Sequence, residues 1–130
     1  MKNVKYTAEI IVFAIFTMLA IGCASGTGAT GSSVSVSSSN SYLERGLTAA
    51  AREDYNHAIE NYTQAIRLNP HNVAAYYNRG LTYYIIGDFS LAIADYEAVL
   101  RIEPNHSNAQ RSLDRAMHEQ VVKQTDDNED

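Results

Sequence analysis

The sequence predicts an all-α fold, a short solenoid of two helix-turn-helix units closed by a capping helix. Two observations predict it. A shift of 34 residues lays the middle of the chain on itself, from Tyr42 on Tyr76 to Pro70 on Pro104, and such self-similarity is the signature of stacked repeats. The matched positions are also the small and aromatic residues that closely packed helix pairs need. Composition agrees: 45% hydrophobic residues, 9 Tyr and only 2 Pro suit a compact helical domain rather than a disordered chain.

Five helices follow in order, at about residues 41–52, 55–68, 73–86, 89–102 and 107–122. Ser41 with Glu44 fits a capping box that opens the first. Gly46 and its match Gly80 leave room where the two helices of a unit approach, and Ala58 and Ala92 give clearance on the second helix. Glu53 stands where the second unit has Gly87, so the first turn must either strain a non-glycine residue or bend differently.

Asp54 and Asp88 are placed to cap the second helix of each unit. Tyr42 and Tyr76, Tyr55 and Phe89, and Tyr62 and Tyr96 are matched pairs that fill the core with aromatic area. Ile66 and Leu100 add aliphatic bulk, and Pro70 and Pro104 stop each second helix. Val99 replaces the alanine kept as Ala65, slightly crowding a helix contact. In the last helix Ser107 with Gln110 fits a second capping box, and Ala109, Leu113, Ala116 and Met117 face inward. Residues 123–130, with Asp126, Asp127, Glu129 and Asp130, read as an acidic, disordered tail.

The period, the paired small residues, the aromatics and the closing prolines resemble the tetratricopeptide repeat family. The resemblance implies a right-handed superhelix with repeat 1 at 39–72, repeat 2 at 73–106 and a capping helix at 107–122. It also implies a concave groove lined by the first helix of each unit. Here those residues are Leu43, Leu47 and Ala50, then Tyr77, Asn78, Leu81 and Tyr84, with Arg111 and Arg115 beyond. Tyr77, Leu81 and Tyr84 recur on one helical face, suited either to peptide capture or to packing on the third helix or a second copy. The clamp for C-terminal carboxylates known in chaperone-binding members is not matched: Asn78 holds one of its positions, but Leu43, Leu47, Asn108 and Ser112 hold the others.

Residues 1–22 read as a signal peptide, with Lys2 and Lys5 before an apolar run from Ile10 to Ile21. That run is short for a bilayer, which needs about 20 apolar residues. Its end, Leu19, Ala20, Ile21, Gly22 and Cys23, resembles the lipobox of bacterial lipoproteins, although Ala20 stands where that family usually carries leucine. The resemblance implies cleavage before Cys23, lipidation of its thiol and anchoring by acyl chains. With Ala24 rather than aspartate next, it implies an outer-membrane protein facing the periplasm in a two-membrane organism. Residues 23–40 then form the lipidated cysteine and a flexible Ser/Gly tether.

The net charge is -5, and an acidic body argues against nucleic acid, which is bound through clustered Lys and Arg. His57, His71, His106 and His118 show no metal-ligand spacing. No nucleophile and base are held together, so neither a catalytic residue nor a cofactor is expected. The expected function is a membrane-anchored adaptor that binds a peptide or helix of a cell-envelope protein in its groove. The alternative is a self-associating module, possible as a homodimer, or an assembly factor for a pilus or secretion system.

Overall fold

The structure, a computed structural model, describes residues 31–126. The expected signal peptide, Cys23 and residues 24–30 lie outside the described residues, as do 127–130. Five helices and no strand occur among the described residues: α1 (Gly31–Ala51), α2 (Tyr55–Leu68), α3 (Val73–Ile85), α4 (Phe89–Ile102) and α5 (Ser107–Asp126). None of them is long and apolar enough to cross a membrane.

Each helix packs on the next in sequence. The first helices of successive units also touch, α1 on α3 and α3 on α5, whereas α2 and α4 do not meet. First helices that converge while second helices splay make a curved stack, with α1, α3 and α5 on its inner side. This is the all-α solenoid that the repeat predicts.

The α1–α2 and α3–α4 turns share one geometry. Glu53 N–H donates to Ala50 O and Asp54 N–H to Ala49 O; Gly87 N–H donates to Tyr84 O and Asp88 N–H to Tyr83 O. This paired closure needs a left-handed residue, supplied by Gly87 at φ 81° and by Glu53 at φ 61°. Of the two alternatives for the first turn, the strained one is realised. Asp54 and Asp88 then cap α2 and α4, accepting from the backbone N–H of His57 and Leu91.

Two boundaries and one cap depart from the sequence reading. Helix α1 begins ten residues before Ser41, at Gly31, so Ser41 and Glu44 do not open it and residues 31–40 are not tether. Serine is a poor helix former, but Ser39 is fully buried and donates to Ala65 O at 2.8 Å, while accepting from Asn72 Nδ2 at 2.9 Å. That tertiary anchor outweighs local propensity. Helix α5 is opened by His106 rather than by Ser107 with Gln110, since the Ala109 N–H donates to His106 Nδ1 at 3.1 Å.

Helix α5 also runs to Asp126, past the expected end at 122. Docking explains the extra turn. Gln120 donates to Ser90 Oγ at 2.8 Å, and Lys123 Nζ lies 3.4 Å from Gly87 O and 5.9 Å from the Phe89 ring centre.

Alanine and tyrosine dominate the core, where Ala58, Tyr62 and Ala65 of α2 and Ala92, Tyr96 and Val99 of α4 are all but inaccessible. The glycines of the first helices face tyrosine rings rather than the alanines. A Cβ on Gly46 would stand 2.5 Å from Tyr62 Cε1, and one on Gly80 2.9 Å from Tyr96 Cε1. On α5, Ala109 and Ala116 are buried as expected, but Met117 is 51% exposed. In the repeat register Met117 matches Tyr83, on the side where α3 receives α4, and no helix follows α5 among the described residues.

Candidate functional site

The residues expected in the groove are found in two different states. Leu43 is half-buried and Leu47 is exposed on α1. On α3, Tyr77, Leu81 and Tyr84 are half-buried, packed with Leu113 against the cluster of Ala92, Tyr96 and Ala116. The stripe is therefore not a bare groove, because α5 has closed over part of it.

Ring contacts fix the tyrosines. Tyr77 lies 6.0 Å from Tyr96 and 5.4 Å from His106, centre to centre, and Tyr84 lies 5.4 Å from Phe89. Asn78 turns its amide back to donate to Ala74 O at 2.8 Å. What stays open is the seam between α3 and α5, where Tyr77, Asn108, Arg111, Ser112 and Arg115 line a cleft of about 150 Å³. Three expected groove residues, Tyr77, Arg111 and Arg115, thus meet at one place.

Arg111 and Arg115 are exposed, and Arg111 donates to Asn108 Oδ1 at 2.6 Å, which holds the guanidinium at the rim. No carboxylate lines the cleft. An aromatic wall with two guanidinium groups suits a segment that presents acidic side chains.

Sequence reasoning missed the arginine that ties the two units together. Arg79 donates from Nε and a terminal nitrogen to both oxygens of Asp95, at 2.8 and 2.7 Å, and from its other terminal nitrogen to Thr63 Oγ1 at 3.0 Å. Tyr76, expected in the core, and Tyr83, which also packs against the Ala92–Tyr96–Ala116 cluster, flank this guanidinium at 5.8 and 5.9 Å.

Asp95 is 4% exposed. Burial pushes its carboxyl upward and the guanidinium pulls against that shift, while the bonds from Asp95 hold the Arg79 proton more tightly. The signal was a carboxylate at position 95, on the helical face that also carries Ala92, Tyr96 and Val99. No group of three or more His, Cys, Asp and Glu that could hold a metal occurs among the described residues.

A model of the tetratricopeptide repeat family matches residues 43–107. Among solved structures, the TPR domain of Arabidopsis OM64 is 27% identical with a TM-score of 0.65, over 68% of this chain and 73% of that one. The MamA protein is 27% identical with a TM-score of 0.64, over 70% of this chain and 49% of MamA, so the likeness spans about half of that protein. The TPR2B domain of yeast Sti1, solved in a complex with pHsp70, shares the fold at 24% identity and a TM-score of 0.61, over 67% of this chain and 68% of that one. No curated protein sequence matches the chain.

Proposed function

The chain belongs to the tetratricopeptide repeat family, whose repeats serve protein–protein interaction, and from that premise we propose that it is a membrane-anchored adaptor of the cell envelope. Its inner face would hold a peptide or helix of a partner protein. The observation that carries this reading is the open seam where Tyr77 of α3 meets Arg111 and Arg115 of α5. On α1, Leu47 of the expected groove is exposed.

The tyrosine offers apolar area at small entropic cost, and the arginines offer directional charge. Residues of both kinds dominate interface energetics.

The anchor rests on the lipobox-like end of the leader at Cys23. Several acyl chains at about 0.8 kcal/mol per buried methylene would keep the domain on a membrane surface. Mass spectrometry of the mature N-terminus tests it: a diacylglyceryl-modified Cys23 is expected, and a free thiol contradicts the anchor.

Copurification from the protein's own cells tests the groove. A partner retained by the wild type should be lost on Leu47→Asp with Arg111→Glu and kept on Arg67→Glu, a change on the exposed side of α2. Loss in both variants, or in neither, contradicts binding through the inner face.

A further inference from the structure

Arg111 and Arg115 stand out because nothing described balances them. The described residues form two ion pairs, His57 with Asp54 and Arg79 with Asp95, and neither includes the cleft arginines. The nearest carboxylate along the helix, Asp114, accepts from Gln110 at 3.0 Å. In a chain of net charge -5, the seam is a local reversal of sign.

The densest run of carboxylates in the same chain begins where α5 ends: Asp126, Asp127, Asn128, Glu129 and Asp130. Covalent geometry keeps this run from spanning its own cleft. At 1.5 Å per residue, Asp126 lies about 16 Å along the helix from Arg115 and about 22 Å from Arg111. The four residues beyond it reach at most about 14 Å fully extended. Doubled back along α5, they could not lie across both arginines. A second copy has no such restriction.

We propose that the acidic segment 126–130 of one copy docks in the Tyr77–Arg111–Arg115 cleft of another, joining copies head to tail. The proposal rests on the groove reading above and names an occupant for the same cleft. Guanidinium and carboxylate match in planar geometry, and Arg111, already held by Asn108, loses less freedom when it pairs. The two surfaces differ, so each contact leaves one cleft and one acidic segment free, and association grows into chains rather than stopping at pairs. Because the arginines are exposed, salt weakens each contact.

Two variants of the full chain, studied in mild detergent with helix content checked by circular dichroism, test this. One carries Arg111→Ala and Arg115→Ala; the other carries Asp126→Asn, Asp127→Asn, Glu129→Gln and Asp130→Asn. In sedimentation the wild type should gain mass with concentration at low salt, with association at least about tenfold weaker at high salt. Each variant alone should stay single. An equal mixture of the two should give one-to-one pairs and nothing larger, since only one cleft and one acidic segment remain compatible. A wild type that never associates, variants that associate as it does, or a mixture that fails to pair overturns the proposal. The copurification test reads the groove separately, because it scores a different protein.

Discussion

At φ 61°, Glu53 holds the conformation that Gly87 adopts at φ 81° without a Cβ to crowd the turn. The left-handed region costs a non-glycine residue roughly 1–2 kcal/mol, part of which glycine gives back as unfolded-state entropy. Glu53→Gly should therefore raise stability by about 0.5–1 kcal/mol, read as a higher urea midpoint at unchanged slope. Gly46 presents the opposite case. Its missing Cβ would fall 2.5 Å from a Tyr62 ring that is 1% exposed and has nowhere to move. Gly46→Ala should cost about 1–3 kcal/mol by overpacking, and an unchanged thermal midpoint would show that the ring yields.

The Arg79–Asp95 pair belongs to the same scale. Arg79→Met leaves a carboxylate buried without its partner, which costs about 3–5 kcal/mol, whereas Arg79→Met with Asp95→Leu should cost much less. A double-mutant cycle reads the difference. The first unit has no equivalent pair: Asn61 stands in the register of Asp95 and donates to His57 O at 2.7 Å, while Arg45 lies over Tyr42 at 5.2 Å.

Among the elements, the junction of α1, α2 and α3 turns on two small polar side chains. Asn72 caps α3 through its oxygen, which accepts from the Ala75 N–H at 3.0 Å, and reaches α1 through its nitrogen, which donates to Ser39. Asn72→Ala removes both contacts and should cost about 1–3 kcal/mol. Hydrogen exchange should show α1 opening earlier at residues 31–40 than at 41–51.

This junction also marks how far the sequence could be read. The five helices, both aspartate caps and the repeated tyrosine core were legible because each follows from local chemistry at a fixed register. The start of α1 was not, because a serine run has low helix propensity and the tertiary contacts of Ser39, with Ala65 and Asn72, lie 26 and 33 residues away. The inner face was legible as a set of positions. Which of them stay open was not, since that depends on how closely α5 settles on Tyr77, Leu81 and Tyr84.

On the scale of the whole molecule, two repeats and one helix make a small core whose largest buried side chains are Tyr62 and Tyr96. Burial holds the Tyr96 phenol up to about 12, against 10.0 for an exposed tyrosine, and Tyr62 and Tyr83 are shifted the same way by the same cause. A group whose pKa is raised by folding lends its full stability below pH 10 and loses it as pH climbs through about 12. Thermal stability should fall across that window. Tyr96→Phe should remove much of the fall, roughly 2–3 kcal/mol for a shift of this size, and circular dichroism melts from pH 9 to 12 check it.

The central claim is that the side built from α1, α3 and α5 is where another protein binds. Photocrosslinking in intact cells tests it most directly, from a reactive residue placed in turn at Leu47, Arg111, Arg67 and Glu97, all exposed. The account predicts that one partner is captured from Leu47 and Arg111 and not from Arg67 or Glu97. Capture from the α2 and α4 positions alone, or equally from all four, would contradict it.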